Sequence, residues 1–195
     1  MLPATEFHAR VEQVRCLNTR RLGKLLYGLV RWLQPESCVE IGSAHGYTAA
    51  WVARALQENG GGQLTCIEDF SLEDSASQLF YNLGALGIDN VAVVRGDSAN
   101  ADNWPAKVDF AFIDGLHSLE ACRADFAKAD ERGARCIVLH DTTDWWGPRE
   151  FIDTPQPGWT LIRADHDGGA AVFMRVQQLG DVRYAKAEFP SGAIR

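Results

Sequence analysis

The sequence lacks several features, and each absence removes a class of function. No apolar run is long enough to cross a bilayer, and the longest are strand-sized, so no membrane partner is expected. The opening stretch "MLPATEFHARVEQVR" has no basic-then-apolar layout, and the reading expects a cytoplasmic protein. The five cysteines are odd in number and form no Cys-x-x-Cys pair, which points away from a zinc site or a disulfide framework. Cys38, Cys66 and Cys136 sit in strand-like apolar runs and Cys16 and Cys122 in helical patterns, so buried free thiols are expected. Basic residues do not cluster beyond "NTRRLGK" at 18–24, and the formal net charge is −7. Phosphate backbones need clustered cations, so no nucleic acid is expected and a small molecule is the expected partner. No internal repeat and no low-complexity segment occurs.

What is present is an alternation of short apolar runs and helical patterns. The 195 residues suffice for a single domain, 1–195, read as N-terminal helices over 1–34, a core over 36–175 and a tail over 176–195. Leu22, Leu25, Leu26, Leu29, Val30 and Leu33 recur at helical spacing, and Pro35 ends that segment. Those apolar positions are open to two readings, a homodimer interface or a cover for the sheet edge. "CVEIG", "QLTCIED", "NVAVVRGDS", "VDFAFIDG" and "ARCIVLHD" read as five buried strands. "YTAAWVARALQ" reads as a helix, and "LEACRADFAKADERG" as another closed by Gly133. Ser71 and Asp74 suggest a capping box for a helix over 72–86. "GWTLIRAD" and "GAAVFMRV" flank "HDGG" as a hairpin. The expected fold is α/β and Rossmann-like: a mostly parallel seven-stranded sheet, covered on both faces, with a C-terminal antiparallel hairpin.

In such sheets a ligand lies beyond the carboxyl ends of the strands. The residues there are Glu40 and Gly42, Glu68 and Asp69, Asp97 and Ser98, Asp114 and His117, then His140 and Asp141. All five strand ends carry a carboxylate. Gly42 and Gly46 are four apart with Ala44 between, which departs from the G-x-G-x-x-G dinucleotide fingerprint. Glu68 suits the two hydroxyls of a ribose or a solvated loop start; Asp97 and Ser98 suit an adenine amine or the cap of a helical turn. Asp114 ends an apolar strand and needs a partner. His45, in the glycine loop, reads as a surface residue or as an edge of the substrate cleft, and His8 and His166 as exposed. Trp145 and Trp146 read as a loop that would wall an acceptor pocket.

The ordered stretches "VEIGSAHGYTA", "CIEDF", "VVRGDSA", "VDFAFIDGLHSLEACRADF" and "CIVLHDT" resemble class I S-adenosylmethionine-dependent methyltransferases. Within them the chain is most similar to the family-24 group, related to cephalosporin-biosynthesis and macrolide sugar O-methyltransferases. The resemblance spans roughly 36–145, and "FIDGLHSLEACRADF" is its most specific part. It implies transfer of a methyl group from S-adenosylmethionine, with a hydroxyl of a small molecule as acceptor. It places Gly42, Ser43 and Ala44 along the methionine portion with Glu40 behind them, and the N–H groups of Tyr47 and Thr48 toward the cofactor carboxylate. Glu68 would take the ribose, and Asp97 and Ser98 would face the adenine. It also implies a divalent cation held by Asp114, His140 and Asp141, with His117 as base. Two departures stand out. Ala44 replaces a usual middle glycine, and His140 stands where metal-dependent relatives usually carry glutamate. The expected cation is magnesium or manganese, with zinc or iron behind them; magnesium prefers oxygen donors, whereas imidazole suits zinc, manganese, iron or nickel better. The competing reading makes His140 a packed, hydrogen-bonded histidine and Asp141 a cap. A non-catalytic cofactor-binding protein or partner subunit is the alternative to an enzyme.

Overall fold

The computed structural model describes residues 1–16 and 19–175; the expected tail at 176–195 lies outside the described residues. Two N-terminal helices, α1 (Ala4–Val11) and α2 (Arg20–Leu33), precede the sheet. The chain then alternates: β1 (Ser37–Ile41), α3 (Tyr47–Glu58), β2 (Gln63–Glu68), α4 (Ser75–Ala85), β3 (Val91–Arg95), β4 (Phe110–Ile113), α5 (Leu119–Glu131) and β5 (Cys136–His140). A helix α6 (Trp146–Asp153) leads into the hairpin β6 (Thr160–Ala164) and β7 (Ala170–Met174). The strands form one seven-stranded sheet in the order β3-β2-β1-β4-β5-β7-β6. Only β7 runs against its neighbours, pairing antiparallel with both β5 and β6. The expected architecture is the one found.

Side-chain alternation along the strands divides the core in two. Cys38, Cys66, Phe110, Phe112 and Val138 join the face covered by α1 to α4. Val39, Ile67, Ala111, Ile113 and Ile137 join the face covered by α5 and α6. On α2 the buried positions are Leu22, Leu26, Val30 and Leu33, one stripe at helical spacing, while Leu25 faces outward. Gly23 lets α2 press onto α3: a Cβ there would stand 2.4 Å from the Trp51 ring. Trp51 also holds α1, with the Phe7 ring edge-on at 5.4 Å. The N-terminal helices therefore cover the sheet through α3.

The capping box is not formed. α4 begins at Ser75, and Asp74 adopts a left-handed conformation (φ 60°) with no side-chain cap. Residues 71–74 instead turn tightly, the Ser75 N–H donating to the Leu72 carbonyl. Gly133 closes α5 in the left-handed region as expected (φ 91°). The segment expected as a tryptophan loop is partly helical, with Trp145 as the N-cap position of α6. Its start is set by Gly147, whose Cβ would lie 2.3 Å from the His117 carbonyl oxygen, so only glycine lets α6 sit on that backbone.

Between β1 and β4 the sheet order reverses, and Gly42 occupies that switch point. Its φ is 81°, and a Cβ would stand 2.2 Å from the Asp114 carbonyl oxygen. Gly42→Ala therefore combines a disfavoured conformation with a backbone clash, and we expect a loss of about 2 kcal/mol or more of stability, read by chemical denaturation.

Candidate active site

A cleft of about 570 Å³ opens over the carboxyl ends of β1 to β5. Its floor begins with the glycine loop. Gly42, Ala44 and Gly46 all have positive φ (81°, 43° and 85°), which turns the chain sharply from β1 into α3. The departure at Ala44 thus keeps the glycine-like conformation, at a cost of about 1–2 kcal/mol for an L residue. Glu68, at the end of β2, holds that conformation in place: its Oε2 accepts the Ala44 N–H at 2.7 Å and its Oε1 accepts the Phe70 N–H at 3.0 Å. A carboxylate has about four acceptor sites, so capacity remains for a ligand.

Glu40 does not line the cleft. It is fully buried behind the loop, where Oε1 accepts the Thr48 hydroxyl at 2.7 Å and Oε2 has no partner. Burial pushes its carboxyl up to about 8, against the Thr48 hydrogen bond, and the nearby Asp114 and Glu68 add to the rise. Asp97 and Ser98 do line the cleft. Asp97 Oδ1 accepts the Ala99 N–H at 2.7 Å within a local turn, while the helical turn that follows, Ala101–Asn103, is capped by Asn100 instead.

The fourth and fifth strand ends meet in a compact ionisable cluster. His140, the last residue of β5, is 1% exposed. Its Nδ1 lies 2.9 Å from Asp114 Oδ1, and its Nε2 lies 2.5 Å from the Asp167 carbonyl oxygen in the β6–β7 turn. A carbonyl only accepts, so Nε2 carries a proton. His117 Nε2 lies 3.0 Å from Asp141 Oδ2 and 3.7 Å from Asp114 Oδ1, as an ion-pair contact rather than an aligned hydrogen bond. Asp114 first, and Asp141 next, push the His117 imidazole up to about 9 despite its partial burial. Burial lowers the His140 pKa, but the facing Asp114 and Asp141 carboxylates outweigh it and the net shift is upward. One donor atom each from Asp114, His140 and Asp141 fall within 4.8 Å of one another.

The sequence expectations are met unevenly. Asp114, His117, His140 and Asp141 converge, and Gly42, Ser43, Ala44, Tyr47, Thr48, Glu68, Asp97 and Ser98 share the cleft with three of them, His140 standing behind. His8 and His166 are exposed as expected. His45 is not a surface residue: it is 2% exposed and lines the cleft, because Gly46 turns it inward beside α4, where Asn82 Nδ2 donates to its carbonyl. Trp145 and Trp146 do not line the cleft and remain 53% and 65% exposed. Trp145 instead stacks on the His117 ring, with centroids 4.9 Å apart and planes 10° from parallel. Arg15 and Thr19, absent from the sequence expectations, also line the cleft. No local spacing marks them, since they reach it only through the packing of α2 on α3.

The sequence pattern of a family described as "Methyltransferase domain" matches residues 39–142, just over half the chain. The chain belongs to that family. It is a class I S-adenosylmethionine-dependent methyltransferase, and the matched residues run from β1 through the Asp114–Asp141 cluster. Solved structures share the methyltransferase's fold. An O-methyltransferase from Bacillus cereus, in complex with SAH, is 22% identical with a TM-score of 0.68, covering 89% of this chain and 93% of its own. A methyltransferase from Geobacter sulfurreducens is 19% identical, with a TM-score of 0.66 and coverages of 90% and 93%. The O-methyltransferase TomG from Streptomyces achromogenes, involved in tomaymycin synthesis and in complex with SAM, is 20% identical, with a TM-score of 0.63 and coverages of 90% and 99%.

The buried Glu40 gives this methyltransferase a pH-dependent stability. Its folded-state pKa of about 8 lies above the ordinary 4.5, so its favourable contribution is complete below 4.5 and disappears as pH rises through 8. Glu40→Gln should remove that dependence. Its stability relative to the native protein should rise between pH 5 and 8 by on the order of a few kcal/mol, measured by urea denaturation across that range.

Proposed function

We propose that the enzyme transfers the methyl group of S-adenosylmethionine to a hydroxyl oxygen of a small-molecule acceptor, beside Asp114 and His117. The observation that carries this reading is the convergence of two carboxylates and two imidazoles where β4 and β5 end, next to the glycine loop. The cofactor supplies an electrophilic methyl on a sulfonium centre. The chain's part is positioning and proton transfer. Glu68 keeps acceptor capacity for ribose hydroxyls while its bonds to Ala44 and Phe70 fix its direction. Asp97 and Ser98 face the adenine, and Gly42, Ser43 and Ala44 border the methionine portion.

An alcohol is a weak nucleophile at neutral pH and needs its proton removed. His117 Nε2 is the group for that work, held by the Trp145 stack on one side and by the two carboxylates on the other. It accepts a proton only when neutral, and the facing carboxylates delay that state to about pH 9. The donor set fits a divalent cation. His140 commits Nε2–H to the Asp167 carbonyl, which leaves Nδ1 as the ligating nitrogen beside Asp114 and Asp141. This mixed nitrogen and oxygen set favours manganese, zinc or iron over magnesium. A cation there would lower the pKa of a hydroxyl bound to it and neutralise the charge that keeps His117 protonated.

Two outcomes test the reading with labelled S-adenosylmethionine and a panel of phenols, sugars and hydroxy acids. Asp114→Asn should lower turnover at least roughly 100-fold with the folded state intact by circular dichroism; unchanged turnover would contradict the assignment. In chelator, the rate with native enzyme should rise with pH through about 9, and added manganese should move that rise to lower pH.

A further inference from the structure

The turn between β6 and β7 reaches the site in several places at once. Asp167, Gly168 and Gly169 take three successive positive φ values (54°, 82° and 85°). That path presses the turn onto the chain that follows β5. The Gly168 carbonyl accepts the Thr143 N–H at 2.9 Å, and the Gly169 carbonyl accepts the Thr142 N–H at 3.2 Å. A Cβ on Gly169 would stand 2.7 Å from Thr142 Oγ1. On the other side of Asp141, the Asp167 carbonyl accepts the His140 Nε2–H at 2.5 Å. The turn therefore grips the chain both before and after Asp141.

Asp167 also reaches away from that cluster. Thr19 stands at the N-cap position of α2 and makes no side-chain bond to the helix. Asp167 Oδ2, 145 residues along the chain from Leu22, takes that place. It accepts the Leu22 N–H at 3.0 Å and the Arg21 N–H as well, the helical positions that a capping oxygen serves. A carboxylate suits the positive end of the helix dipole. Arg21 Nη1 lies 3.3 Å from His166 Nδ1, a further contact between the same two segments. Arg15, Cys16 and Thr19, which precede α2, form one wall of the cleft. That wall and His140 thus meet at a single residue.

We propose that Asp167 is a positioning residue that couples the α2 wall of the cleft to the cluster of Asp114, His140 and Asp141. Its carboxylate anchors the wall, and its carbonyl holds His140 with Nδ1 toward Asp114. Both bonds come from one residue, so a substrate that shifts the start of α2 also shifts the group that fixes His140. The link to substrate and cation rests on the function proposed above; the tether itself does not.

The test uses the full chain, labelled with nitrogen-15, and two variants. Asp167→Gly keeps the left-handed backbone and removes the anchoring oxygen, whereas Asp167→Asn keeps both. In the metal-free native protein, NMR should show the His140 Nε2 proton and slow exchange at the Arg21 and Leu22 amides. In Asp167→Gly the two amides should exchange at least about tenfold faster and the His140 proton signal should be lost with them. In Asp167→Asn both should be retained. Faster amides with an unchanged His140 signal would mean that only a helix cap was lost, and would overturn the proposal. A second measurement needs no variant. Zinc titrated into the native protein should slow exchange at the Leu22 amide by about fivefold or more, because coupling between two sites is reciprocal. Zinc bound at His140 with Leu22 exchange unchanged would also overturn the proposal. Failure of the native protein to bind zinc or manganese would overturn the cation reading instead, and the metal-free comparison would still decide the tether.

Discussion

Two carboxylates brought together at adjacent strand ends cannot both stay charged without compensation, and this site is organised around that constraint. Asp114 and Asp141 follow β4 and β5, which pair in parallel, so the sheet itself sets their proximity. His140 and His117 face these carboxylates, which raise the pKa of both imidazoles, that of His117 to about 9. Under the proposed function, a divalent cation held by Asp114, His140 and Asp141 would supply the same charge. On that proposal proton and cation would be alternative occupants of one electrostatic site, and the availability of His117 as a base would depend on which is bound.

The rest of the fold keeps that cluster beside the glycine loop. Gly42 lies against the Asp114 backbone, so the first loop and the fourth strand end are set by direct contact rather than through side chains. Glu68 fixes the loop through the Ala44 N–H, and Gly147 lets α6 settle on the backbone after His117. The hairpin reaches back as well: the Asp167 carbonyl in the β6–β7 turn chooses which His140 nitrogen carries a proton. Elements far apart in sequence each fix one degree of freedom of the same small volume.

Much of this was legible in the sequence because it is written in local pattern. Strands such as "CIVLH" and the helix after "FIDGLHS" announce themselves by apolar period and by terminators such as Gly133, and the carboxylates sit where those strands stop. Less local features were not legible. Ser71 and Asp74 have the spacing of a capping box, yet the left-handed turn at Asp74 starts α4 later. His45 left a surface and a cleft-edge reading open, and Gly46, by folding it inward, decides for the cleft. Trp145 and Trp146 look alike in sequence, while one stacks on His117 and the other begins a helix in solvent. Arg15 reaches the cleft only because Phe7 and Gly23 press α1 and α2 onto Trp51, a tertiary fact without local spacing.

The most direct test is a crystal structure of the chain grown with S-adenosylhomocysteine and manganese. The account predicts the nucleoside in the cleft, with ribose hydroxyls on Glu68, and an anomalous peak bounded by Asp114, His140 and Asp141. A nucleoside bound elsewhere, or a ribose that leaves Glu68 untouched, would contradict it.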